Sequence, residues 1–163
     1  MGKRGQAIRL ILGFWMMLWA GAALAAGPGQ CRDDQVLVRG DFGQARFSVE
    51  VAETRADRNR GLMFRKSMPK SAGMLFVYEA PGTRNFWMKN TFIPLDILFL
   101  DQTGTVRSIK HQAEPHNVSP IFGGHDIQYV LEINGGLARA MGIAEGAELQ
   151  HPAFGAQTAA WPC

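Results

Sequence analysis

The sequence FWMKNTFIPLD, residues 86–96, and the apolar run ILFL that extends it to residue 100 set aromatic side chains, a cation, an amide and a carboxylate into a β-favouring stretch. Polar groups buried in such a run lower stability unless they are partnered or used. Pro94 divides the run into two predicted strands, residues 85–91 and 95–100, because proline cannot donate a ladder hydrogen bond. We therefore look here first for the organisation of the sheet and for a functional site.

The faces of the first predicted strand leave two arrangements open. Alternation places Trp87, Lys89 and Thr91 on the face opposite Met88. If Met88 points into the core, Trp87 and Lys89 form an exposed aromatic–cation pair suited to a polar or carbohydrate-like ligand. If the faces are reversed, Trp87 packs inward and Lys89 must be neutralised, with Asp96 as the candidate partner.

A purely structural interpretation is also open, in which Asn90, Thr91 and Asp96 satisfy backbone groups around Pro94. If the stretch is instead a binding surface, two residues from other segments join it. The candidate ligand-binding residues are then Arg65, Trp87, Lys89, Asn90, Thr91, Asp96 and His116.

On the N-terminal side, residues 36–38 and 46–52 predict a hairpin, and the second strand alternates apolar and polar residues as a half-buried strand does. Thr54 is the predicted N-cap of a helix over residues 55–64, whose Arg55 and Arg58 are expected on a solvated face. Residues 74–78 are apolar on both faces and predict a central strand. The Pro-Gly pair in residues 79–82 predicts a turn.

On the C-terminal side, residues 105–110 complete a hairpin centred on Thr103 and Gly104. Residues 111–125 are expected to form an irregular loop, followed by a strand over 128–133, a helix over 135–141 ended by Gly142, and a short strand before residue 150. The predicted class is α+β and β-rich: a mostly antiparallel sheet, with a partly closed barrel as one arrangement, and two short helices.

The N-terminus has the pattern of a secretory signal peptide over residues 1–26, with basic residues before an apolar run that ends in small residues. A retained membrane anchor is the alternative. We expect a flexible lead-in over 27–35, one β-rich domain over 36–150 and a tail over 151–163, ordered by its disulfide. The expected location is the periplasm or the exterior, with no stable membrane insertion after removal of the signal.

Charge gives no support for nucleic-acid binding. Three of the 17 lysine and arginine residues lie in the leader, and the remaining 14 equal the 14 acidic residues. The two cysteines, Cys31 and Cys163, lie near the two ends of the exported chain, and we predict that they pair, because an exported protein meets an oxidising environment.

Three kinds of chemistry can be weighed from the residues. Asp96 and Asp101 cannot form a local hydrolase dyad, because five residues of strand separate them by roughly 16 Å and point them to opposite faces. A copper module of methionines with His111, His116 and His125 is an alternative, although methionines in apolar strands are usually core residues. Nucleophilic catalysis has no Gly-x-Ser-x-Gly elbow to start from.

Several segments together resemble the bacterial and archaeal family called domain of unknown function 192: GLMFR at 61–65, GMLF at 73–76, FWMKNTFIPLD at 86–96, VLEI at 130–133 and GI at 142–143. The resemblance covers residues 36–149 and implies a compact, β-rich, often exported single domain. It implies no reaction, because none is assigned to the family.

From these observations we expect an exported, monomeric domain, without a cofactor or metal, that binds a small polar ligand or a cell-envelope component. One alternative is a cell-envelope enzyme that acts on a saccharide or peptide, and the other is the Met/His copper module. Whether the protein is an enzyme is left open by the sequence.

Overall fold

The computed structural model describes Gly2 and residues 31–163, so the predicted signal peptide lies outside the described residues apart from Gly2. The elements, in chain order, are β1 (Gln35–Gly40), β2 (Gly43–Ala52), α1 (Arg55–Arg60), β3 (Ala72–Phe86), β4 (Leu95–Leu100), β5 (Val106–Ala113), β6 (Ile121–Asn134), α2 (Leu137–Met141), β7 (Glu148–Gln150) and a 3-10 turn (Pro152–Phe154).

The seven strands form one sheet in the order β5-β4-β6-β3-β2-β1-β7. Every neighbouring pair is antiparallel except β2 and β3, which run parallel with Ser48 opposite Ala72. The segment between these two strands carries α1, as a parallel connection requires a crossover. The predicted β-rich, mostly antiparallel class is confirmed, and the sheet curls into a half-barrel.

The two edges of the sheet meet at one end of the half-barrel. Val106, at the start of β5, donates to the carbonyl of Ala147 at 2.8 Å and accepts from the amide of Gly146 at 2.9 Å. Leu149 of β7 donates to Gly104 at 2.9 Å, and Thr105 bridges Glu148. The first and last strands in the spatial order are therefore joined by backbone hydrogen bonds.

Two clusters of buried side chains lie on opposite faces of the sheet. The inner cluster takes residues from all seven strands, for example Phe47 of β2 and Leu98 of β4. The outer cluster includes Phe76, Ile97 and Val130 and is covered by the segments that carry Leu62 and Met88. All six residues of β4 are buried because this strand has apolar side chains packed on both faces.

Both predicted hairpins are confirmed, β1 with β2 and β4 with β5 around Gly104. The cap of α1 is confirmed too, since Thr54 Oγ1 accepts from the amide of Asp57 at 3.1 Å. The helix is shorter than predicted, because Gly61 follows it with φ +47° and the chain leaves the helical path there.

Three local predictions are wrong. Of the predicted strand over residues 85–91, only 85 and 86 belong to a strand, because the amides and carbonyls of the residues that follow bond to other loops. Pro81 and Gly82 do not end a strand: β3 continues through them to Phe86, with bulges between Val77 and Asn85 that absorb the irregularity. The segment 111–125 is largely regular, since β5 reaches Ala113 and β6 begins at Ile121.

The predicted disulfide is present between Cys31 and Cys163, with their Cα atoms 5.6 Å apart. The tail, however, is held by more than this bond. Phe154 is buried against Tyr129 at 4.5 Å between ring centroids, and Ala160 donates to the carbonyl of Thr103 at 2.9 Å. The C-terminal residues are therefore part of the inner core rather than a tethered extension.

Candidate functional site

A cleft of about 550 Å³ opens on the outer face of the sheet, between β3 and β6 on one side and α1 with the segment after β3 on the other. Its apolar lining includes Phe76, Phe86 and Leu62, which belong to or pack against the outer core. Its polar lining is dominated by cations, with arginines from α1 and β3 and Lys89 from the following segment. An aromatic floor with a basic rim suits a small ligand that carries both an apolar surface and negative charge.

Glu132 is the buried acidic residue of this cleft. It lies on β6 opposite Met74 of β3 and Ile97 of β4, so it shares the outer face with apolar neighbours. The residue is 4% exposed, and none of the hydrogen bonds or ion pairs formed within residues 31–163 involves its carboxyl group. Burial raises the pKa of Glu132 to about 8, well above its ordinary value. Burial therefore favours the neutral carboxylic acid, which has an O–H to donate.

Two arginines of the cleft are held in place by β3 itself. Arg58 donates to the carbonyl of Val77 at 2.8 Å and pairs with Glu79 at 3.1 Å. Arg84 donates to the carbonyl of Ala80 at 2.7 Å. Both guanidinium groups lie over the ring of Tyr78, at 4.7 Å and 3.8 Å from its centroid, as cation–π contacts. The positive charges that flank Tyr78 are thus fixed by bonds to the protein.

Other polar groups of the cleft have capacity left for a ligand. The Nε of Arg84 is buried without a hydrogen-bond partner, which is costly unless something else supplies an acceptor. In the described part of the chain, Arg55, Arg60 and Lys89 line the cleft and form no ion pair. These unpaired cations leave the mouth of the cleft positively charged.

Trp87 and Lys89 form an exposed aromatic–cation pair, as expected for the arrangement in which Met88 points into the core. The Lys89 ammonium lies 5.2 Å from the centroid of the Trp87 ring, which is 49% exposed, and Met88 between them is fully buried. Thr91 does not follow the alternation, because the segment is a loop: it is 5% exposed and lies at the cleft lining. Three of the candidate residues, Trp87, Lys89 and Thr91, therefore meet in one cleft.

The remaining candidate residues lie outside the cleft lining. Arg65 pairs with Glu50. Asn90 accepts from the amide of Phe64 at 2.8 Å through its carbonyl, and His116 packs against Phe92 with ring centroids 5.1 Å apart.

Phe64, Asn90 and His116 share an unusual backbone conformation, with φ of 66°, 55° and 64°. Non-glycine residues rarely adopt this left-handed conformation. The loops that carry them are bonded to one another, since His116 donates to the carbonyl of Thr91 and Phe64 donates to that of Asn90. This bonding holds the segment after β3 in position beside the cleft.

Asp96 is buried on the other face of the sheet and is fully partnered. Its Oδ1 accepts from the amides of Gln112 at 2.8 Å and Gly136 at 2.9 Å, and its Oδ2 accepts from Ala138 at 2.8 Å. The carboxylate therefore closes the N-terminus of α2, where a negative charge complements the free amides. In this structure Asp96 organises the chain around α2 and β5.

The residue at the base of the cleft was not predicted, although the sequence carries a signal for it. Glu132 is a charged residue inside a run that is apolar on both faces, VLEI at 130–133, and such a residue needs either a partner or a function. The prediction that Arg58 lies on a solvated face is wrong, because that side chain is only 11% exposed. Nothing local in the sequence shows that Arg58 and Arg84, 26 residues apart, flank the same tyrosine.

The histidines of the copper alternative make separate contacts. His125 Nδ1 bonds to Thr83 Oγ1 at 2.9 Å, and His111 Nδ1 lies 3.9 Å from Asp96, while His116 packs against Phe92. Within the described residues, no group of three histidine, cysteine, aspartate or glutamate side chains converges as a metal site would require. In that same portion of the chain, no helix has the length and apolar character needed to cross a bilayer.

Known proteins similar to this chain identify its family and its fold, but none of them has an assigned reaction. The family model DUF192, described as "Uncharacterized ACR", matches residues 37–151. A protein of unknown function from Novosphingobium aromaticivorans DSM 12444 is 40% identical, with a TM-score of 0.69 over 71% of this chain and 82% of its own. A Sinorhizobium meliloti 1021 protein, provisionally called a transcription regulator, is 35% identical, with a TM-score of 0.70 over 76% of this chain and 96% of its own. No curated protein matches the sequence.

Proposed function

This chain belongs to the DUF192 family, to which no activity is attached, and from that premise we propose that it is a binding domain whose cleft takes a small polar ligand or cell-envelope component with a negatively charged group. One observation carries the proposal. The cleft combines a buried carboxyl group without a hydrogen-bond partner, Glu132, with a rim on which every charge outside an ion pair is positive. Arg60 and Lys89 would attract the anion, and Trp87 offers an exposed aromatic face for the rest of the ligand.

The proposal is tested with two sugars that differ in charge. N-acetylmuramic acid and N-acetylglucosamine share a pyranose ring and an acetamido group, and only the first carries a carboxylate. Isothermal titration calorimetry on the purified protein should give a measurable affinity for N-acetylmuramic acid and an affinity at least about tenfold lower for the neutral sugar. Equal affinities for the two sugars would contradict an anion site.

Matched lysine variants then locate the binding. Lys89 lines the cleft, whereas Lys110 is an exposed lysine on β5 that does not. Lys89→Ala should weaken binding of N-acetylmuramic acid by about fivefold to tenfold, in the range of one lost charge-assisted contact. Lys110→Ala should leave the affinity unchanged. An equal loss in both variants would mean that the sugar responds only to the overall charge of the protein.

We also propose that the domain works outside the cytoplasm. The Cys31–Cys163 disulfide supports this location, because such bonds persist in oxidising compartments. The test is fractionation of cells that express the full chain, followed by mass spectrometry of the protein recovered. Export predicts a periplasmic or secreted species that starts near residue 27 and contains no free thiol. A cytoplasmic, reduced, full-length product would contradict it.

A further inference from the structure

Glu132 cannot be read as an ordinary anionic residue of a binding site. It is flanked on the outer face of the sheet by Met74 and Ile97, it is only 4% exposed although it lines the cleft, and it has no hydrogen-bond donor among residues 31–163. Transfer of an ionised carboxylate into such surroundings is very unfavourable, so the neutral acid is the stable form. The raised pKa of Glu132, caused by burial alone, agrees with this geometry.

None of the charged groups around Glu132 stabilises its ionised form. From α1, Arg55, Arg58 and Arg60 line the cleft, and β3 contributes Tyr78, Glu79 and Arg84, followed by Lys89. None of them lies within ion-pair distance of Glu132 in the described structure. Arg58 and Arg84 are already bonded to carbonyl groups of β3. On β4 the facing residue is Ile97. No counter-charge is therefore close enough to hold a carboxylate.

We propose that the anionic group of the ligand binds in this cleft together with one proton, which Glu132 carries and donates as a hydrogen bond to an oxygen of the ligand. This inference rests on the proposed function, and it adds the class of the ligand, an oxyanion such as a carboxylate. An O–H donor to an anionic oxygen is among the strongest hydrogen bonds available to a protein. The basic rim neutralises the charge that remains on the ligand.

The proton balance of this arrangement fixes how binding depends on pH. At neutral pH the protein already holds the proton, so a carboxylate binds with no net proton exchange. Once Glu132 has ionised, binding must take up one proton from solution, because two facing carboxylates repel each other. Affinity for an oxyanion is therefore constant below about pH 7 and falls by up to tenfold per pH unit above about pH 8.

The test is calorimetric titration of wild type and Glu132→Gln with N-acetylmuramic acid and with benzoate, between about pH 6 and pH 9.5, where both probes are ionised. Glutamine keeps a donor at this position and cannot ionise. Wild-type affinity should fall at least about fivefold between pH 8 and pH 9.5. The variant should bind more weakly than wild type at pH 7, because an amide N–H is a weaker donor than a carboxylic O–H, and its affinity should show no such fall with pH. Arg107→Ala, a cation outside the cleft, is the matched control and should follow wild type.

A second measurement on wild type keeps the inference independent of the variant. The pKa of Glu132 can be measured by NMR, from the chemical shift of its side-chain carboxyl carbon through a pH titration. This pKa should be higher when the probe is bound. An unchanged or lower pKa in the complex, or the same fall in affinity in Glu132→Gln, would overturn proton-linked binding. If proton-linked binding fails in this way but Lys89→Ala still weakens the binding of N-acetylmuramic acid, the proposed function is upheld. Failure of both probes to bind at any pH would overturn the proposed function and this inference together.

Discussion

Asp96 and Glu132 lie on adjacent strands and project from opposite faces of the sheet. Asp96 of β4 pairs with Ile133 of β6, so the preceding residue of β6, Glu132, points to the other side. Both side chains are buried, yet Asp96 receives three amide hydrogen bonds and Glu132 receives none within the described chain. One carboxyl group therefore maintains the fold while the other is available to a ligand, and the two should respond oppositely to replacement by the corresponding amide.

Asp96→Asn should destabilise the protein by about 3 kcal/mol, because an amide nitrogen would replace an oxygen that accepts a backbone hydrogen bond and the negative charge would be lost. Urea unfolding at neutral pH measures this free energy. Asp41→Asn, in the exposed β1–β2 turn, is the control and should change it by less than about 0.5 kcal/mol. Equal effects of the two substitutions would mean that the three bonds do not stabilise α2.

Glu132→Gln should stabilise the protein, and more so as the pH rises. The folded-state pKa of about 8 lies above the unfolded value of 4.5, so the native state holds a proton that the unfolded chain releases. The contribution of Glu132 to stability is therefore greatest below pH 4.5 and decreases as the pH rises towards 8. Between pH 6.5 and pH 8 wild type should lose about 2 kcal/mol in the free energy of unfolding, and the glutamine variant should lose none of it. Parallel curves for the two proteins would contradict a buried neutral acid.

His151 should produce the opposite dependence at lower pH. Its Nδ1 accepts from the amide of Ala153 at 3.1 Å and its Nε2 lies 2.9 Å from the carbonyl of Asp33, an arrangement that fits the neutral ring. Burial lowers the pKa of His151, so its contribution is present above about pH 6.5 and is lost as the pH falls through the lowered value.

Thermal unfolding in the Glu132→Gln background isolates this histidine, because the opposing glutamate is absent. The melting temperature should fall as the pH is lowered from 6.5, and the protection factor of the Ala153 amide against exchange should fall first. A His151→Ala variant should be less stable at pH 7 and should lose the pH dependence. If its melting temperature still fell in parallel with the parent, another group would be responsible.

Removal of the disulfide should lower the free energy of unfolding by up to about 5 kcal/mol, because the bond closes a loop across a separation of 132 residues. The Cys31→Ser, Cys163→Ser double variant should nevertheless keep its C-terminal segment docked, since Phe154 is buried in the inner core. Chemical denaturation measures the first effect, and protection of the Ala160 amide from exchange reports the second. Full exchange of that amide in the folded variant would show that the disulfide alone orders the tail.

Local pattern was sufficient for the parts of the fold that local interactions determine. The alternation in β2 and the Thr103–Gly104 turn predicted two hairpins correctly, because neighbouring residues fix both the turn and the register. The same alternation misled us at residues 87–91, where Met88 is buried and Trp87 exposed as in a strand. There the backbone bonds to Asn117 and Phe64, which are distant in sequence.

The candidate site was predicted in part for the same reason. Trp87 and Lys89 could be found because they are conspicuous in one short segment. Asp96 was conspicuous too, but its partners Gly136 and Ala138 lie about forty residues away and become visible only in the folded chain. Glu132 differs again: its place in the apolar run VLEI marks it in the sequence, but the absence of a partner becomes visible only in the folded chain.

The hydrogen bonds that join β5 to β7 also bear on how the protein behaves in a crowded solution. An open sheet offers two rows of free amides and carbonyls on which strands of other molecules can add, which is a common start of aggregation. Here the contacts of Val106 with Gly146 and Ala147 occupy the end of one such row. The rest of β5 carries Arg107 and Lys110 on exposed positions, and such charges discourage strand addition. The curled sheet and these charges therefore leave little of the β5 edge on which a strand of another molecule could add.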